Sequence, residues 1–381
     1  MKKLAIIGAS YLQLPLILKA KDLGLETHVF AWAAGDVGEE AADHFYPISI
    51  TEKDLILEEC RKIGISGICS IASDLAVLTV NYVAENMGLT GNGIDSSLVS
   101  VNKHDMKLMF MSYDVPCAKG VCVSEGEKPD LTGMDYPLIV KPTDRSGSRG
   151  ITRIDTKKDD IKGAIARACS QSFEKKAMIE EFIPGDEYSV ECISFEGEHT
   201  LLAVTQKYTT GSPNYIETGH LQPAGVDGPL KDRIKDIVFA GLDSLGIMYG
   251  ASHAEIKISG SDLKVIEIGA RMGGDMIGST LVRLSTGYDM VKAVIDIALG
   301  EKPEEFDPGY SRTAAIRYLT DEKSMEDLRA IEQDHPEIIY EADGRSAAQE
   351  DVIDSSSRKG YYIIVSDQRD IIERFMPGSR A

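Results

Sequence analysis

P-L-I-V-K-P-T-D-R-S-G-S-R-G-I, residues 137–151, is the stretch whose reading decides the fold. An apolar run ends at Lys141, and a loop of small residues, Ser146-Gly147-Ser148 with Gly150, leads into a second extended segment. Small side chains let backbone N–H groups approach phosphate oxygens, and a lysine at the strand end adds a point charge. Taken alone, the pattern also fits a glycine-rich hairpin beside an exposed lysine. The dipeptide Gly-Lys occurs nowhere in the chain, so a Walker A loop is excluded.

Downstream, E-E-F-I-P-G-D-E (180–187) carries acids into an apolar pair and a Pro-Gly turn. Purine recognition needs a backbone hinge between apolar walls and a carboxylate for the ribose hydroxyls. Read alone, an exposed strand and turn fits equally well. The third element is the hairpin from Ala251 to Arg271. A three-residue loop at Gly260-Ser261-Asp262 would pair Ser259 with Leu263 and set Glu255 directly opposite Glu267. A two-residue loop would instead oppose Glu255 to Ile266 and turn Glu267 to the other face, unless a compensating bulge restores the pairing. Facing carboxylates destabilise a sheet unless a cation lies between them, and hard oxygen ligands beside polyphosphate suit Mg²⁺. The alternative is two solvated acids on an exposed face.

Upstream, residues 1–97 alternate strands (4–7, 26–31, 67–71) with helices (12–23 and about 74–86). That alternation predicts a parallel sheet covered on both faces. Gly8 sits where a dinucleotide loop would turn, but Ser10 and Gln13 occupy the positions that need glycine, so that fingerprint is absent. Helices are expected over 103–112, 159–172, 229–246 and 288–299, with strands through 177–208. The tail, 309–381, mixes strands with a closing helix from Arg369.

The 381 residues suffice for roughly two to three domains. A net charge of −20 repels phosphate backbones and anionic lipid, so nucleic acid and membrane surfaces are excluded as partners. Any polyphosphate must be met by a local cationic pocket and metal ions. The six cysteines form no C-x-x-C pair and read as reduced, mostly buried thiols. The start, Met1-Lys2-Lys3, imitates a secretory signal, but Gly8, Ser10, Gln13 and Pro15 interrupt it, which predicts a cytoplasmic chain.

Lys103, Lys141 with its loop, the 180–187 hinge, Glu255 and E-I-G-A-R-M-G-G-D (267–275) stand in the order of the ATP-grasp superfamily. The resemblance covers about 97–300, and the flanks are similar to those of its biotin-carboxylase-like branch. It implies an α/β ATP-grasp fold: an N-terminal parallel-sheet domain (1–97), a two-lobed core (98–303) with a Gly-rich lid (about 113–181), and a mixed α+β domain (304–381). It implies that Lys103, Lys141, Ser146, Gly147 and Ser148 hold the ATP phosphates, with Lys207 as a further contact. Glu180 and the backbone of Glu181 and Ile183 match the adenine hinge, and Glu187 the ribose carboxylate. Glu255 and Glu267 match ligands of Mg²⁺, expected as two ions with Mn²⁺ able to replace them. Arg271 matches the arginine that stabilises the acyl phosphate and tetrahedral intermediate. E-I-G-A-R and T-G-H-L-Q-P (218–223) resemble the L-amino-acid (dipeptide) ligases, which puts His220 near the reacting groups, as a catalytic or a structural residue. His253 reads as structural.

One departure stands out: many members carry an Asn ligand where this chain has Gly269, so the metal site lacks one oxygen donor or water fills it. The implied activity joins a small-molecule carboxylate to an amine through an acyl phosphate, releasing ADP and phosphate. The alternatives are a purine-pathway or carboxylase-type enzyme of the superfamily, and a nucleotide-binding protein without catalysis. A homodimer is left open.

Overall fold

A computed structural model describes residues 1–147, 149–212, 215–344, 357–358 and 360–378. Its strands are β1 (Lys3–Ile7), β2 (Glu26–Phe30), β3 (His44–Tyr46), β4 (Gly67–Cys69), β5 (Gly120–Ser124), β6 (Leu138–Pro142), β7 (Thr152–Ile154) and β8 (Lys176–Glu181). Then follow β9 (Asp186–Phe195), β10 (Glu198–Thr209), β11 (Glu217–Gln222), β12 (Gly250–Ser259), β13 (Asp262–Gly269), β14 (Thr313–Tyr318), β15 (Ile339–Asp343) and β16 (Tyr361–Ser366). Among the described residues they form three sheets, ordered β3-β2-β1-β4, β5-β8-β6-β7 and β13-β12-β9-β10-β11-β14-β16-β15.

The first sheet is parallel throughout. Along β1, Leu4 and Ile6 pack into one apolar cluster with Leu16 and Ile17, while Ala5 and Ile7 join another with Ile56, Cys60 and Val83. A strand apolar on both faces is what helices on both sides demand. The helix Met290–Ala298, remote in sequence, closes the Leu4 face through Val294 and Ile297.

Three strands were expected in this sheet and there are four, because β3 and the helix Lys53–Ile63 intervene before β4. That helix had legible signals: buried Ile56, Leu57 and Cys60 on one stripe, and a left-handed Gly64 as its stop. The helices Ile94–Val101 and Glu322–Asp334 are likewise additions to the sequence reading.

The second sheet packs Leu138, Val140 and Ile179 against Ala164, Ile165 and Ala168 of the helix Ile161–Gln171. The third sheet buries Val190, Ile256 and Ile268 under the helix Gly228–Ser244, which starts at an Asp227 cap. The described tail strands extend this same sheet, since β14 pairs with β11 from Gly219–Arg317 to Gln222–Ala314.

Two caps position site residues. The Ser73 side chain accepts from Ala76 N at the start of the helix Asp74–Met87, and Asn102 accepts from His104 N and Asp105 N at the start of Lys103–Ser112. Each such cap stabilises its helix by about 1 kcal/mol and here fixes Asp74 and Lys103 at a first helical position. All six cysteines are free. Among the described residues no helix is long and apolar enough to cross a membrane.

Candidate functional site

A cleft opens between the second and third sheets. Lys103, Lys141, Ser146, Gly147, Glu180, Glu181, Ile183, Glu187, Lys207, Glu255 and Glu267 all line it. Ser148 lies outside the described residues.

Each lysine in the cleft is matched by acid. Lys141 contacts Glu180 Oε1, and Lys107 Nζ lies 3.4 Å from Glu180 Oε2. Burial opposes a charge on Glu180, but Lys107 and Lys141 overcome it and hold its carboxyl down at about 2. Lys103 Nζ lies 2.5 Å from Glu267 Oε2, and Lys207 Nζ lies 2.8 Å from Glu187 Oε1 and 2.6 Å from Glu255 Oε1. Burial works against both ammonium groups, and the facing carboxylates nonetheless raise their pKa values. Burial likewise opposes the Glu255 carboxylate, while Lys207 and His253 hold its pKa well down.

Glu255 does stand opposite Glu267, but not by a three-residue loop. Ser259 pairs with Asp262 across a two-residue turn, and a bulge between Glu255 and Ile256 restores the register by one residue. The bulge returns Glu267 to the face of Glu255. Sequence spacing alone could not locate it.

The site fits a hard divalent cation. The facing groups are carboxylate oxygens, and the cleft is electrically balanced. Lys103, Lys141, Arg145, Arg149, Lys207 and Lys257 meet Glu180, Glu181, Glu187, Glu217, Glu255 and Glu267. A polyphosphate entering such a cleft needs further positive charge, which divalent ions on oxygen ligands supply. The position of the missing Asn has a steric reason. A Cβ at Gly269 would lie 3.1 Å from Arg271 Cζ and 3.1 Å from Asp74 Oδ1.

That guanidinium is already chelated: Arg271 Nε donates to Asp74 Oδ1 at 2.8 Å and Nη2 to Asp74 Oδ2 at 3.1 Å. Arg271 does not line the main cleft. Its partner Asp74 lines an adjoining cavity that shares Lys103, Arg145, Ser146, Arg149 and Glu267 with the cleft. The sequence reading did not anticipate Asp74.

His220 is not among the cleft residues either. It is fully buried, with Nε2 3.2 Å from Asp275 Oδ2, and Arg358 forks onto the same aspartate at 2.9 and 2.5 Å. Asp275 is held in the left-handed region at φ 53°, a strained conformation for a non-glycine residue. His253, read as structural from the sequence, reaches the site: Nδ1 lies 2.7 Å from the buried Glu191 and Nε2 3.5 Å from Glu255. Burial disfavours its charge, yet Glu191 prevails and raises its pKa to about 9. A Cβ at Gly273 would come within 2.7 Å of His253 Nδ1, so glycine is required there. At the hinge, the Phe182 ring contacts the cations of Arg153 and Lys257, at 4.3 and 4.8 Å from its centroid.

Residues 134–279 match the model of the ATP-grasp domain. The chain carries an ATP-grasp domain. The sequence of this ATP-grasp chain is 25% identical over 294 residues to an alanine–anticapsin ligase of Bacillus subtilis, across 70% of this chain and 61% of that protein. It thus spans less than two thirds of that relative's length. A D-alanine–D-alanine ligase of Rhodospirillum rubrum is 24% identical over 242 residues, across 62% of this chain and 76% of the relative. The crystal structure of an L-amino acid ligase from Bacillus licheniformis superposes with a TM-score of 0.80 at 21% identity, covering 98% of this chain and 96% of that one. At that identity the likeness is one of fold.

Proposed function

We propose that this ATP-grasp chain is an ATP-dependent carboxylate–amine ligase acting on amino acids, which forms an amide through an acyl phosphate and releases ADP and phosphate. The observation that carries the reading is the Glu255–Glu267 pair in one cleft with Lys103, Lys141 and Lys207. The names of the two sequence relatives, both ligases of alanine, support the substrate class.

In this reading Ile183 and the backbone at Glu181 hold the base, since the Glu181 carboxylate is turned away to accept from Asp135 N. Glu187 takes the ribose hydroxyls, and Lys103 and Lys141 the phosphates. Glu255 and Glu267 would hold Mg²⁺, which would supply positive charge to offset that of the phosphates. A substrate carboxylate oxygen attacks the γ-phosphorus, the bond to the β-phosphate oxygen breaks, and ADP leaves. The amine then attacks the acyl carbon and phosphate departs. Asp74 fixes the Arg271 fork through two nitrogens. Nη1, with a 3.4 Å bond to Met272 O, remains the donor for the oxyanion. Ser146, Gly147 and Gly150 of the glycine-rich loop would shield the mixed anhydride from water.

The test is a matrix of carboxylates and amines scored by phosphate release. Amino acids should stimulate release and bicarbonate should not. Stimulation by bicarbonate alone would move the chain to the carboxylase-type branch. Release that depends on no added substrate pair would end the ligase reading.

A further inference from the structure

Outside the cleft, Glu26, His28 and His44 bring three ligand atoms within 4.8 Å of one another. The topology builds this cluster. β2 and β3 run parallel with His28 directly opposite His44, and Glu26 precedes His28 by two residues on the same face. The two imidazoles stack with centroids 4.7 Å apart and planes 15° from parallel. Their Nε2 atoms converge on one oxygen, Glu26 Oε1, at 3.2 Å from His28 and 3.1 Å from His44.

His28 is only 3% exposed, and its Nε2 makes no hydrogen bond despite that proximity. A buried ring nitrogen aimed at a carboxylate and a second imidazole can take up either a proton or a metal cation there. The other nitrogen, Nδ1, lies 3.0 Å from the Tyr46 hydroxyl. With its proton given to Tyr46, the lone pair of Nε2 faces the cluster, the outer-contact arrangement usual for a metal-ligating histidine. Tyr46 is itself fixed by stacking on Phe30 at 4.7 Å.

We propose that Glu26, His28 and His44 form a binding site for a borderline divalent transition cation of the Zn²⁺ class. Two imidazole nitrogens and one carboxylate suit Zn²⁺ or Co²⁺, whereas Mg²⁺ and Ca²⁺ take oxygen ligands. Three protein ligands leave a further position for water. The His44 side chain is 50% exposed, so the ion exchanges with solvent. None of the described cleft-lining residues comes from β2 or β3, so the site is separate from the nucleotide site. Its consequence is structural: the ion clips β3, the edge strand of its sheet, onto β2.

The experiment titrates chelator-stripped full-length protein with Zn²⁺ against a chromophoric competitor, and records Co²⁺ absorption in parallel. The surface substitution His44→Ala serves as reference, because cleft carboxylates and thiols contribute equally to both proteins. The parent should bind one more equivalent than His44→Ala, and Glu26→Gln should bind that equivalent at least about tenfold more weakly. Zn²⁺ should raise the melting temperature of the parent more than that of His44→Ala, with turnover on MgATP unchanged by either substitution. Identical Zn²⁺ stoichiometry and affinity in the parent and His44→Ala, or a Co²⁺ spectrum unaltered by His44→Ala, would overturn the assignment.

Discussion

Two halves of the site use cations in different ways. In the cleft, Lys103, Lys141 and Lys207 each rest on carboxylates through a single nitrogen. Beyond the strand end, Arg271 is forked onto Asp74 and Arg358 onto Asp275. An ammonium is a point charge on a flexible stem and exchanges partners readily; a guanidinium fork is directional and holds its geometry. The lysine half can thus exchange its acids for other anions, and the arginine half holds its donors in place.

The sharpest way to break this comparison is to remove the fixed fork. Arg271→Ala should lower kcat by about 10²–10³-fold, roughly 2.7–4 kcal/mol, with ATP affinity near that of the parent. Arg271→Lys should remain slow, because charge survives but the fork does not. Calorimetry beside steady-state kinetics reads both. Equal losses in kcat and in ATP affinity would place Arg271 with the exchangeable group.

Two pH limbs test the ion pairs. Glu180 is depressed from 4.5 to about 2, so its contribution is full above pH 4.5 and is lost as pH falls through about 2. His253 is raised from 6.5 to about 9, so its contribution is full below pH 6.5 and is lost as pH rises through about 9. Each limb is on the order of 3 kcal/mol. Denaturant unfolding across pH should show both slopes, and His253→Gln should flatten the alkaline one while sparing the acid one.

Lys141→Ala should weaken ATP binding by about 2 kcal/mol, the scale of a charge-assisted hydrogen bond. Circular dichroism serves as fold control, since Lys107 still neutralises Glu180. Unchanged affinity would show that the phosphates never replace Glu180 on Lys141. The smallest effect belongs to Gly269→Asn. Its Cβ must displace Arg271 or Asp74 by a few tenths of an ångström, which should cost about 1 kcal/mol in kcat and little in ATP affinity. A gain in metal affinity with no loss of rate would show that the fork tolerates the side chain.

The cleft was legible in the sequence because its residues sit in local patterns: a strand ending in lysine before a small-residue loop, a Pro-Gly hinge, and two acids on one hairpin. What escaped depends on long-range partners. Asp74 is 197 residues from Arg271, and Lys107 meets Glu180 from another element. His253 gave no sign, since its role rests on a fully buried Glu191 brought alongside it on β9. The hairpin register depended on a bulge, which leaves no mark in residue spacing. In the first sheet, β3 is only three residues long and lacks the alternation that marks longer strands.

The account centres on phosphoryl transfer to a carboxylate in the Glu255–Glu267 cleft, and the spent nucleotide tests it most directly. Chromatography of a complete reaction with an active amino acid pair should show ADP and phosphate rising in step with the amide, and Glu267→Gln should abolish all three together. AMP and pyrophosphate rising with the amide would mean adenylation, and would contradict the acyl-phosphate chemistry assigned to this cleft.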